Sequence, residues 1–129
     1  MDRGAIRRTA ALGLTVLTAT GLLALAAPTP AGAATALCPG HKVRTLSFST
    51  GSVQVFRSGK YVCALTYPKK KGGKKTMSVS VQARGSRAVV DKGRFTHHAG
   101  PVNVHAGHRC VRIRGAVNSG SVSSGWILC

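Results

Sequence analysis

From Met77 to Ala83 every second residue is apolar (Met77, Val79, Val81, Ala83) and the residues between are polar (Ser78, Ser80, Gln82). Side chains of a strand point alternately to its two faces, so this pattern specifies a strand with one face in a core and the other in water. The same period recurs at Val53 and Val55, at Val102, Val104 and Ala106, and at Val111 and Ile113 against Arg112 and Arg114. In Tyr61–Tyr67 both alternating sets are largely apolar (Tyr61, Cys63, Leu65, Tyr67 and Val62, Ala64, Thr66), which predicts a strand covered on both faces. Trp126-Ile127-Leu128-Cys129 reads as a short apolar closing strand. Turn signals separate the runs: Ser58-Gly59, Gly72-Gly73, Gly85-Ser86, and Gly107-His108 as a link between two neighbouring antiparallel strands. Between these signals no segment repeats with a helical period. The expected fold is all-β, a small disulfide-stabilised β-sandwich or barrel of roughly 7–8 short antiparallel strands.

The first thirty-odd residues belong to a different pattern. Arg3, Arg7 and Arg8 precede the uncharged apolar run Ala10–Ala27, which ends in Pro28, Pro30 and a stretch of small residues. This is the layout of a signal peptide, expected as a helix over residues 1–33 and cut after Ala33, with Ala31 and Ala33 filling the small-residue positions. Ala34 and Ala36 offer a second cut. A membrane anchor fits less well, because six leucines among Ala, Thr and Gly make a weak spanning helix. Leu37 before Cys38 argues against lipidation, and Thr9-Ala10-Ala11 after the Arg7-Arg8 pair favours general secretion over twin-arginine export. Residues 34–129 are then one extracellular domain, too small for a second core.

Three of the nineteen Lys+Arg and one of the two acids lie in residues 1–33, which leaves sixteen basic residues against Asp91 alone, a formal +15. All four cysteines lie in the exported part, and an even count there reads as two disulfides. Four cysteines allow three pairings. Cys38–Cys129 is favoured because it ties the two ends of the domain, with Cys63–Cys110 joining two interior strands; closing the longer loop would stabilise the fold by roughly 4–5 kcal/mol. Without any C-x-x-C pair, a zinc–thiolate site is not expected, and neither is another metal or cofactor.

The densest charge is Lys69-Lys70-Lys71-Gly72-Gly73-Lys74-Lys75. On a hairpin tip these five ammonium groups repel one another unless an anion screens them, which makes Lys69, Lys70, Lys71, Lys74 and Lys75 the candidate polyanion-binding residues. A solvated turn that only maintains solubility is the plainer alternative. Six aromatic residues are spread through the chain and none lies within the lysine run, so contact with nucleic acid is expected to be non-specific. Catalysis is hard to assemble. One acid excludes paired carboxylates, and no G-x-S-x-G elbow accompanies the serines. A carboxylate-free ribonuclease would draw on His97, His98, His105 and His108, which otherwise read as loop and surface histidines, with His105 pointing outward. Asp91, just before Gly93, is expected to bond turn amides or a nearby Arg.

Asp91-x-Gly93-x-Phe95, Ala99-Gly100-Pro101-Val102, Ala106, Cys110 and Val111, with Met77-Ser78-Val79 upstream, resemble the spore-associated protein A family of small exported actinobacterial proteins. The layout of the four cysteines is similar as well. The resemblance implies a location, with spores or the cell surface, and no catalytic residues. The high positive charge and the lysine run depart from the family. The expectation is a secreted, non-enzymatic basic protein that associates with anionic cell-wall or spore-surface polymers, without stable membrane insertion of its mature form. A cationic antimicrobial or toxin-like effector is the alternative, though no amphipathic helix is evident to insert.

Overall fold

Eight strands account for most of residues 37–129, the residues that the computed structural model describes. They are β1 (His41–Phe48), β2 (Gly51–Ser58), β3 (Tyr61–Pro68), β4 (Lys75–Ala83), β5 (Val89–Phe95), β6 (Ala99–His105), β7 (Val111–Val117) and β8 (Gly120–Ile127). All pair antiparallel, in two four-stranded sheets: sheet I in the order β1-β2-β3-β6 and sheet II in the order β5-β4-β7-β8. The described residues fall in one compact unit, and none of their elements is a helix long and apolar enough to cross a membrane. The leader and its cleavage sites lie outside the described residues.

The core lies between the sheets. Val53, Val55, Val62 and Ala64 from sheet I meet Met77, Val79, Val81, Ile113 and Val117 from sheet II, all buried. Each such valine contributes about 1.5–3 kcal/mol through its loss of contact with water. The alternation in β4 therefore does what its pattern specifies, with Ser78, Ser80 and Gln82 on the wet face. Residues Val62–Thr66 are buried on both faces of β3, and the structure supplies the second cover. The segment before β1 crosses the outer face, where Cys38, Cys63 and Leu65 form a small separate cluster with Phe56 and Tyr67.

That cover corrects the expected disulfide pairing. The bonds are Cys38–Cys63 and Cys110–Cys129, spanning 25 and 19 residues; Cys38–Cys129 and Cys63–Cys110 do not form. Cys63 points away from the sandwich, whereas Cys110 immediately precedes β7 of the other sheet. Face-to-face sheets stand about 10 Å apart, beyond the roughly 7 Å across which two Cα positions can be bridged. Cys129, by contrast, follows β8, whose Ile127 pairs with Val111, so the hairpin itself delivers Cys129 beside Cys110. Each bond staples one sheet, and neither crosses the sandwich.

Three connections cross between the sheets instead: residues 69–74, 96–98 and 106–110. Gly72-Gly73 is thus an inter-sheet crossover rather than a hairpin tip, and Gly107-His108 joins strands of opposite sheets rather than neighbours. The turns at Ser58-Gly59 and Gly85-Ser86 do join paired strands. Two strands had no clear sequence signature. In β1 a bulge between Lys42 and Arg44 breaks the alternation, and in β5, an edge strand, Val89 and Val90 are both exposed. The closing strand begins at Gly120, six residues before Trp126, in a serine-rich run.

Candidate anion-binding end of the sandwich

The lysine run leaves β3 at Pro68 and enters β4 at Lys75. Gly72 and Gly73 both hold positive φ (88° and 70°), a conformation that side chains other than glycine rarely adopt, and the curl turns their carbonyls inward. Lys75 Nζ donates to the carbonyl oxygens of Gly72 and Gly73. Its ammonium therefore ties the loop down rather than projecting with the rest. Lys69, Lys70, Lys71 and Lys74 are exposed. Lys69 N donates to Thr50 O (2.9 Å), anchoring the start of the loop to the β1–β2 turn.

The loop has a recess on each side. A cleft of about 290 Å³ is lined by Ser49, Thr50, Lys69, Lys70, Lys75 and Asn118, among others. Its wall is held by Thr50 Oγ1, which donates to Val117 O (2.7 Å), and by Asn118, which turns the chain at a φ of 53°. Three lysines and the hydroxyl and amide groups opposite them make a lining without a carboxylate. Such a lining suits oxyanions, with Lys as a point charge that matches charge without reading shape. The second recess, about 520 Å³, is bordered by Tyr67, Pro68, Lys71 and His97. The Tyr67 ring lies 5.9 Å from that of His98, and burial raises the Tyr67 phenol above its ordinary pKa of 10.0. No aromatic residue lies within the lysine run, yet the fold places Tyr67 and two histidines beside it. Sequence spacing gave no signal for this, because His97 and His98 arrive from the β5–β6 crossover.

The remaining sequence candidates lie elsewhere. His105 is the last residue of β6 and His108 lies beyond it, and His105 is exposed with its ring against that of Tyr61 (5.1 Å). At a strand rise of about 3.3 Å per residue, His98 and His105 are on the order of 20 Å apart. The four histidines are therefore not brought to one point. Among the described residues no group of three or more His, Cys, Asp or Glu is placed to hold a metal ion.

Asp91, expected to bond turn amides or a nearby Arg, lies in the middle of β5 and bonds the amide of a strand residue instead. There it faces inward and its Oδ2 accepts a hydrogen bond from Gly100 N (2.8 Å), linking sheet II to sheet I. Gly100 itself has a φ of 90° and precedes a cis Pro101, and a Cβ there would lie 2.8 Å from Ala64 O. Gly93 packs under the Phe95 ring, 3.0 Å from where its Cβ would be. The Asp-x-Gly-x-Phe and Ala-Gly-Pro-Val residues thus form one structural joint between edge strands.

No family model matches the chain, and neither does any curated protein or solved structure.

Proposed function

We propose that this is an exported, non-catalytic basic protein that holds to anionic polymers of the cell wall or spore surface through the lysine end of the sandwich. The observation that carries the reading is the exposed set Lys69, Lys70, Lys71 and Lys74 beside a cleft lined by hydroxyls and two of those lysines. The sole acidic side chain of residues 34–129, Asp91, is occupied with Gly100 N between the sheets and does not neutralise them. The two disulfides suit an oxidising compartment, which agrees with the export pattern of residues 1–33. The resemblance to spore-associated protein A points to the same location.

The test is retention on isolated wall polymer and on inorganic polyphosphate as salt is raised. Replacing Lys69, Lys70, Lys71 and Lys74 together by Gln should weaken binding about ten- to a hundredfold near 0.1 M salt and flatten its salt dependence. Lys75→Gln should instead loosen the loop. Polymer binding that ignores both salt and the fourfold substitution would end this reading.

A further inference from the structure

The outer face of sheet II carries a second cationic surface, built differently from the lysine loop. The pairing register sets its side chains in rows across the strands. One row runs Lys92, Ser78, Ala116, Ser121; the next runs Val90, Ser80, Arg114, Ser123; Thr76 and Arg94 pair on the opposite side. The first row is low, because Ser78, Ala116 and Ser121 are small, and it is overlooked by Arg114 on one side and Arg94 on the other. A groove of about 410 Å³ lies there, lined by Ser78, Arg114, Ala116, Ser121 and Ser123. Its lining comes from three strands, β4, β7 and β8, which at about 4.8 Å spacing make it roughly 10 Å long, and Lys92 on β5 continues the row one strand further.

Beyond Arg114 the surface is ordered in advance. Arg112 pairs with Trp126 across β7 and β8, and its guanidinium lies 4.3 Å from the indole ring centre, with that of Arg84 at 5.3 Å. Stacking uses the flat face of a guanidinium and leaves its N–H edge to donate, so these forks lose little freedom on meeting an oxyanion. The same stacking occupies the indole, the one aromatic ring on this face, so a nucleic-acid base finds no open platform there. What the groove offers is a floor of hydroxyls with Arg114 in its lining, Lys92 and Arg94 on the adjoining strand β5, and no carboxylate.

We infer that the groove binds an acidic polysaccharide, its floor of Ser78, Ser121 and Ser123 bonding sugar hydroxyls while Lys92, Arg94 and Arg114 pair with carboxylates along the chain. Hydroxyl and carboxylate together define a uronate-type polymer; a phosphate chain can accept from the serine hydroxyls but has no hydroxyl of its own to donate back to them. The site is separate from the lysine loop and does not depend on it.

The experiment is calorimetric titration of the mature protein with polygalacturonate, inorganic polyphosphate and single-stranded oligo-dT at fixed ionic strength. Two groove variants are compared with the fourfold Lys→Gln loop variant. Lys92→Gln with Arg114→Gln removes charge; Ala116→Phe fills the floor without changing charge, at an outward position where the fold tolerates bulk. Each groove variant should weaken polygalacturonate about tenfold and the other two polymers by no more than about twofold, while the loop variant does the reverse with polyphosphate. Polygalacturonate binding indifferent to Ala116→Phe overturns the inference, because diffuse charge attraction ignores a filled floor. Losing oligo-dT as strongly as polygalacturonate overturns it too, in favour of a nucleic-acid surface. Failure of the lysine-loop reading shows separately, as polyphosphate binding that survives the loop variant.

Discussion

Gly115 and Thr66 set how closely the two sheets approach at the centre of the sandwich. A Cβ on Gly115 would lie 2.2 Å from Val53 Cγ2 and 2.6 Å from Thr66 Oγ1, so the chain of β7 passes directly over β2 and β3. Thr66 is fully buried and its hydroxyl has no hydrogen-bond partner. An unmatched buried hydroxyl costs free energy that an apolar group of the same shape does not. Thr66→Val is therefore expected to raise stability by about 1 kcal/mol, whereas Gly115→Ala should lower it by about 1–3 kcal/mol by forcing the sheets apart. Urea midpoints of the two variants check both signs. At this scale the sequence was an uneven guide. Burial of Val62, Ala64 and Thr66 was legible from alternation, but the partner of Asp91 was not, because Gly100 lies nine residues away and on the other sheet. Lys75 shows the same limit: as a letter it matches its neighbours, and only the curl of the glycines turns it inward.

Among the elements, one disulfide fastens two strands that hydrogen bonds already place together, and the other joins the segment before β1 to β3, from which β2 separates β1. Cys110–Cys129 closes the open end of the β7–β8 hairpin, and Cys38–Cys63 pins the entering segment onto β3. Loops of 25 and 19 residues are each worth about 3 kcal/mol in the chain-entropy account, less than a bond between the termini would give. Replacing Cys110 and Cys129 together by Ser should lower the unfolding free energy by about that amount and leave β1–β3 protected in hydrogen exchange. Loss of Cys38–Cys63 should expose Leu65 and Tyr67 in addition. The central strands were the most readable elements, since burial on a defined face imposes a strict alternation. The edge strands β1 and β5 were not, because half of an edge strand's demands are met by water and by basic side chains that resist further pairing. The connections at Gly72-Gly73 and Gly107-His108 were misread for a related reason: a Gly-rich turn signal marks where the chain bends, not which sheet it bends toward.

Across residues 34–129, sixteen basic side chains surround one core with a single acid. Self-repulsion of that size opposes compaction, and the fold answers it by distributing charge over the lysine end, the outer face of sheet II and the turns near Arg109. Arg109 shows how some of it is absorbed, donating to the carbonyl oxygens of Ala106 (3.1 Å) and His105 (3.0 Å) and to Ser86 Oγ (2.9 Å). Raising salt from about 0.01 M to about 0.5 M should therefore increase the melting temperature, by screening the repulsion, while it weakens binding to polyanions. Calorimetric scans of the free protein check the first effect and column elution the second. Alternation, cysteine count and charge by themselves determined an all-β, two-disulfide, strongly cationic domain, since each depends only on local periodicity or composition. Which cysteines join, which sheet each crossover reaches, and which lysines and arginines share a surface were decided by the tertiary structure alone, because these are relations between residues distant in the chain that strand pairing and sheet packing bring within a few ångströms.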